Sequence, residues 1–314
     1  MELSIVTTLY HSAPHIEEFY TRIRSEVEKI TSDYEIILVN DGSPDNSLDL
    51  AVSLYEKDPR VTVIDLSRNF GHYKAIMTGL AHATGELVFQ LDCDLEEEPE
   101  LLGKFYEEII STGADVVYGV QQTRKGGVFE RFTGDLFYKV FNLLTSYPVP
   151  PNIINARLMR QRYVASLVQH RDREIFLAGL WAITGFTQVP IVVKKLSKGS
   201  STYTLRRKIS VLVNSITSFS NRPLVFIFYL GCVIVFLSSM AASYLIFKRV
   251  FFGVLLAGWP SLIVSVWLLG GLTIFCLGVI GIYVSKIFSE TKERPYTVVR
   301  KLYKRTQGVG HELQ

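Results

Sequence analysis

Two stretches of this chain carry no charge: Leu224–Phe247, 24 residues, and Pro260–Ser285, 26 residues. About 20 residues of helix cross the ~30 Å hydrocarbon layer of a bilayer, so each stretch is long enough to span one. A helix buried in a soluble core seldom needs that length. Lys248 and Arg249 are the only charges between the two stretches, whereas Lys194–Arg222 and Lys286–Arg305 carry seven Lys or Arg each. Basic flanks stay on the cytoplasmic side, so the pattern predicts a two-helix hairpin with both termini in the cytoplasm. The formal charge of +3 is too mild to argue for nucleic acid as a partner. Cys93, Cys232 and Cys276 are too far apart in sequence to suggest a zinc or disulfide framework. The chain opens directly on a strand pattern with no signal peptide ahead of it, so its first half is expected to remain unexported.

Up to about Val120 short apolar runs alternate with helical patterns. The runs are Leu3–Leu9, Tyr34–Asn40, Val61–Leu66, Glu86–Leu91 and Ala114–Val120, and the helical stretches lie near His15–Ile30, Asn46–Glu56, Gly71–Ala83 and Pro99–Ile110. This alternation predicts an α/β domain with a parallel sheet covered on both faces. Ligands of such sheets bind beyond the carboxyl ends of the strands, which directs attention to the polar groups there.

The fourth run ends in Asp92-Cys93-Asp94-Leu95-Glu96-Glu97-Glu98. In extended backbone Asp92 and Asp94 point the same way, and their repulsion is relieved by a cation. Oxygen-rich sites suit Mg²⁺ or Mn²⁺, so the stretch reads either as a metal site facing a diphosphate or as an acidic cap for the helix after Pro99. The second run ends in Asn40-Asp41-Gly42-Ser43-Pro44-Asp45-Asn46. Gly42 suits a positive φ, Asp45 or Asn46 can cap the next helix, and Asp41 is left at the tip. The third ends in Ser67-Arg68-Asn69-Phe70-Gly71-His72. That loop suits an anion ahead of a helix, although Arg68 alone reads first as a surface ion pair and His72 as a polar helix start rather than a catalytic base.

Asp41, then Arg68-Asn69-Phe70-Gly71, then Asp92-x-Asp94, in that order, resemble the family 2 glycosyltransferases of GT-A fold. Within them the chain is similar to the membrane-bound polyprenyl-phosphate glycosyltransferases, from about Leu3 to Tyr303. The resemblance implies that Thr8, Tyr10, Asp41, Arg68 and Asp92 bind a nucleotide sugar, with Asp41 on the base and Asp92 near ribose and diphosphate. Asp92 and Asp94 would be the catalytic pair, with Asp94 and then Glu96 as ligands for Mg²⁺ or Mn²⁺. Two departures stand out: His11-Ser12-Ala13 follow Tyr10 where the family has Asn and Glu, and Glu96 stands where Gln is common.

The same resemblance assigns the acceptor's phosphate to basic residues further on: Arg124, Arg157 in Asn155-Ala156-Arg157-Leu158-Met159, then Lys198 and Arg206. A guanidinium grips phosphate through two hydrogen bonds, which favours Arg124 in its Gln121–Gly127 loop. Val128–Tyr147 has helical apolar spacing that fits a core helix or an interfacial one. Arg206, Arg207 and Lys208 sit on a basic amphipathic helix ahead of the first span, suited to a membrane surface.

The expected organisation is a cytoplasmic GT-A domain (1–203), a juxtamembrane amphipathic helix (204–222), a transmembrane hairpin (223–285) and a cytoplasmic tail (286–314). The expected fold class is thus α/β, a GT-A (Rossmann-like) domain followed by interfacial helices and two transmembrane helices. The resemblance implies a multi-pass enzyme of the cytoplasmic membrane that moves one hexose, with inversion, from a nucleotide diphosphate sugar (UDP-glucose preferred) to polyprenyl (undecaprenyl) phosphate. The product would feed cell-envelope glycans such as lipopolysaccharide. Assembly into a homo-oligomer through the membrane helices is compatible with the family, and the sequence leaves it open. Two other classes share these signatures: a processive polysaccharide synthase, which normally has more spans and a Gln-x-x-Arg-Trp element, and a non-catalytic lipid-phosphate scaffold.

Overall fold

The computed structural model of the chain describes residues 1–121, 143, 150, 152–173, 175–193, 217, 220–252 and 258–305. The alternation read from the first 121 residues is present, with element ends shifted by less than one helical turn. It runs β1 (Leu3–Leu9), α1 (Ile16–Val27), β2 (Tyr34–Asn40), α2 (Ser47–Lys57), β3 (Val61–Leu66), α3 (His72–His82), β4 (Leu87–Gln90), α4 (Leu101–Thr112) and β5 (Val116–Gln121). There follow β6 (Ile153–Arg160), α5 (Gln161–Leu167), α6 (Leu177–Thr184) and β7 (Gln188–Val193). Two long helices come next, α7 (Arg222–Phe252) and α8 (Trp259–Thr291), and then β8 (Val299–Tyr303).

The eight strands form one sheet in the order β7-β5-β6-β4-β1-β2-β3-β8. Every residue of β1, β2 and β3 is buried, which is why these strands read as near-continuous apolar runs. The sheet is mixed rather than wholly parallel: β6 runs antiparallel between β4 and β5, and β8 runs antiparallel beside β3. β7 pairs with β5 at the far edge, where Pro190 costs no ladder hydrogen bond on its open side.

The C-terminal segment is therefore not a separate tail from residue 286. α8 continues to Thr291, and Val299–Tyr303 is a strand of the sheet. Its adjacent charges at Arg300 and Lys301 hide a strand at the edge of the sheet.

β1, β2 and β3 step outward in one direction, and β4 then pairs on the other side of β1. The strand order reverses between β1 and β4, and in open α/β sheets the crevice outside the carboxyl ends at such a reversal is where ligands bind. α3 enters next to this point, and Gly79 lets it pack closely, because a Cβ there would lie 2.5 Å from Val6 Cγ1.

The described residues fall into two units, the sheet with its helices (including 294–305) and a second unit containing α7 and α8. In the second unit the apolar side chains face outward: Phe226, Phe228, Phe236, Trp267, Leu268 and Ile274 are all exposed. Tyr283 of α8 donates its hydroxyl to the Ser220 carbonyl at 2.6 Å. Among the described residues one helix, Ser265–Thr291, is long and apolar enough by length and composition to cross a membrane, and none of its most apolar stretch is buried. α7 covers the other uncharged stretch within its 31 residues.

Candidate functional site

At the β1/β4 reversal the ends of four elements are tied together through His72, the first residue of α3. Its Nδ1 lies 3.0 Å from Thr8 Oγ1 at the end of β1. Its Nε2 lies 3.2 Å from Asn155 Nδ2 on β6 and 3.4 Å from Asp92 Oδ1 after β4. The Asn155 amide in turn donates to Asp92 Oδ2 at 2.8 Å. Burial works against protonation of His72, but the Asp92 carboxylate, with the charges of Asp41 and Asp94, raises its pKa above the usual histidine value.

The meeting of Asp92 and Asn155 follows from strand register. β4 and β6 pair Leu87 with Arg160 through to Gln90 with Arg157, and the same offset carried two residues past the end of the ladder brings Asp92 to Asn155. Glu97 holds the start of β6 in place, its buried carboxylate accepting the N–H groups of Asn155 (3.3 Å) and Ala156 (2.8 Å). The acidic stretch is thus not a helix cap: α4 begins at Leu101 with no side-chain cap. Nor is it extended strand, since β4 stops at Gln90. Alternation survives all the same, with Cys93, Leu95 and Glu97 buried while Asp92, Asp94 and Glu96 lie on the outer side.

Asp41, expected to face a nucleotide base, is only 2 % exposed, and its two oxygens accept the N–H groups of Phe70 (2.7 Å) and Gly71 (3.0 Å). Burial raises its pKa, and these N–H donors hold the rise in check. It therefore fixes the Ser67–Gly71 loop from below. Gly71 has φ +102°, open to glycine and costly to other residues. Arg68 is exposed on that loop, stacked on Phe70 with its guanidinium carbon 4.1 Å from the ring centre. Tyr10 is 48 % exposed above the end of β1.

The loop after β1 is organised by Asp45, which accepts hydrogen bonds from the Ser43 hydroxyl, the Ser47 hydroxyl (2.6 Å) and the Ala13 N–H (3.2 Å). Partial burial opposes its charge, but these donors lower its pKa to about 2.

Asp94 is exposed, and its Oδ1 accepts the Glu96 N–H at 2.9 Å. The divalent ion implied by the resemblance fits this donor set. Asp94 and Glu96 present hard oxygens at the surface, and Mg²⁺ commonly takes one or two carboxylates together with phosphates and water. Among the described residues no group of three His, Cys, Asp or Glu could hold a metal unaided.

Of the residues expected at the acceptor phosphate, Arg124, Lys198 and Arg206 lie outside the described residues, as do most of 128–147 and 204–219. Arg157 does not open onto an acceptor surface. It is 1 % exposed, its guanidinium carbon lies 2.9 Å from the Trp181 ring centre, and Tyr118 pairs with it across β5–β6. Burial lowers its pKa to about 9, which leaves it a cation near neutral pH. His72, Asn155 and Glu97 were not singled out as site residues by the sequence, because their roles depend on the β4–β6 pairing.

Residues 4–168 match the family model described as Glycosyl transferase family 2. The chain is 60 % identical over 303 residues to a protein of Mycobacterium tuberculosis named "Putative glycosyltransferases", covering 96 % of this chain and 89 % of that one. It is 30 % identical over 307 residues to the "Prophage bactoprenol glucosyl transferase homolog" of Escherichia coli, covering 97 % of this chain and all of that one. The "Bactoprenol glucosyl transferase" of Shigella phage SfII is likewise 30 % identical over 307 residues, covering 97 % of this chain and 99 % of that one.

Proposed function

The chain belongs to glycosyl transferase family 2, and from that premise we propose that it transfers a single hexose from a nucleoside diphosphate sugar to polyprenyl phosphate. The observation that carries this reading is the knot of Thr8, His72, Asp92 and Asn155 at the strand reversal, with Asp94 exposed beside it. The nucleoside diphosphate would lie over the ends of β1 and β4, between Tyr10 and Arg68, with the N-terminus of α3 facing its phosphates. The names of two relatives support a polyprenyl acceptor and a glucosyl donor, so UDP-glucose is the donor we prefer.

An acceptor phosphate oxygen attacks the anomeric carbon, and the bond to the diphosphate breaks with its electron pair leaving on the nucleotide. In-line displacement inverts the anomeric centre. The acceptor oxygen is already anionic near neutral pH, so the chain needs no strong general base. Asp94 with Glu96 would hold Mg²⁺ or Mn²⁺, and the bound ion would supply positive charge to offset that of the departing diphosphate. Asn155 and His72 hold the Asp92 carboxylate in one orientation while the donor is bound. Of the basic residues proposed for the acceptor phosphate, Arg124, Lys198 and Arg206 remain in that role.

A membrane position is supported by β8. It is hydrogen-bonded to β3, and a strand that rejoins the sheet after α7 and α8 is compatible with two crossings. The basic flanks support a cytoplasmic side for the sheet and both termini. Membranes containing the protein, supplied with labelled UDP- or GDP-sugars and undecaprenyl phosphate, are expected to yield a lipid carrying one hexose. Long polymer, or no transfer from any donor, would refute the reading.

A further inference from the structure

The strand that follows the second long helix reaches the loop that carries Arg68. The Ser67 N–H donates to the Val298 carbonyl at 2.9 Å, and the Arg300 guanidinium donates to the Ser67 carbonyl. Arg300 also lies 3.6 Å from Asp65 Oδ2, while the other oxygen of this buried carboxylate accepts the Asn40 amide at 2.8 Å. On the far side of the loop, the Thr297 and Thr78 hydroxyls are 2.8 Å apart, which ties the same segment to α3. Thr297–Arg300 thus braces the start of the Ser67–Gly71 loop and, through Thr78, the helix that follows it. The end of the loop is held separately, by the Asp41 carboxylate, and its middle packs on Gly42, where a Cβ would come within 2.5 Å of Arg68 and Asn69 backbone atoms.

We propose that Thr297–Arg300 is a positioning element of the donor site, so that binding of a nucleoside diphosphate depends on chain that follows the membrane helices. The inference rests on the donor site proposed above. A short loop held at its start by Thr297–Arg300 and at its end by Asp41 presents its N–H groups and Arg68 already ordered. Released at one end, it must be ordered by the ligand, and the cost appears as weaker binding rather than slower chemistry. Arg300 touches no reacting group in this account, and it acts through Ser67 and Asp65.

The test uses the purified full chain in detergent, with UDP and GDP as probes, and compares Arg300→Ala, Arg300→Lys and Thr297→Val/Arg300→Ala with the wild type. Arg300 is 58 % exposed, so its replacement leaves the core intact. Arg300→Ala should weaken binding of the preferred nucleotide about fivefold, the double variant more, and Arg300→Lys less. Donor KM should rise while kcat at saturating donor is unchanged, and the Ser67 amide, which donates to the Val298 carbonyl, should exchange faster with deuterium. Unchanged affinity in the double variant, where the wild type binds, overturns the inference. If the wild type binds neither nucleotide, the functional reading fails, and amide exchange alone decides the positioning role. Faster exchange in the variants upholds it, and unchanged exchange overturns it.

Discussion

Asp92 and Asp94 are two residues apart, yet Asp92 is half-buried and held by the Asn155 amide at 2.8 Å, whereas Asp94 is exposed and accepts the N–H of Glu96 at 2.9 Å. The same division runs through the whole site. A floor of Asp41, Asp92, Asn155, Glu97 and Thr8 is held by backbone N–H groups, by the β6 amide of Asn155 and by His72 at the start of α3. A lip of Tyr10, Arg68 and Asp94 stands at the surface. The floor sets geometry at the cost of burying charge, which is tolerable because each carboxylate is hydrogen-bonded. The lip is exposed, where a ligand can reach it. Stability and turnover should therefore separate along this line.

The sharpest separation is expected at Asp94. Asp94→Ala should reduce hexose transfer by about a thousandfold, as loss of electrostatic stabilisation of a leaving group does. Its melting temperature should stay within about 1 °C of the wild type, and a clear drop in thermal unfolding would break the floor-and-lip division. Glu97→Ala should do the reverse in kind. With the Asn155 and Ala156 N–H groups left unpaired, stability should fall by about 2 kcal/mol in denaturant unfolding. Asn155→Ala lies between the two, with kcat lower by about tenfold and stability changed by less than about 1 kcal/mol, read from steady-state kinetics and melting together.

Smaller effects sharpen the picture at its edges. Arg68→Ala should raise donor KM about threefold, with kcat kept and with the difference fading at high salt. At Asp45 the folded-state pKa of about 2 lies below the ~3.9 of an unfolded aspartate. Its stabilisation is present above the unfolded value and is lost as pH falls toward 2. Asp45→Asn should therefore cost about 1 kcal/mol near pH 7, after allowing for solvent screening, and almost nothing near pH 2. Unfolding of both proteins across that range checks the sign.

β1 to β3 were legible because strands buried on both faces must be apolar throughout, and Asp41 and Arg68 then stood out at their ends. α7 and α8 were legible because the uncharged stretches they contain exceed what a soluble core asks for. β6 was not, since Asn155 and Arg157 interrupt its apolar run, and the resemblance assigned Arg157 to the acceptor's phosphate. Arg157 instead lies against Trp181, a partner 24 residues away that the sequence does not announce. β8 was missed because Val299, Arg300, Lys301, Leu302 and Tyr303 form an edge strand with little to bury. His72 needed both the reversal of strand order and the β4–β6 register to become part of the site, and neither is a local property of sequence.

The central claim is tested most directly with the purified full chain in liposomes containing undecaprenyl phosphate, supplied with UDP-glucose and Mg²⁺ and followed by mass spectrometry of the lipid, wild type beside Asp94→Ala. The account predicts a single added hexose in the wild type and none above background in a normally folded variant. Equal transfer by the two proteins, or several hexoses on one lipid, would contradict it.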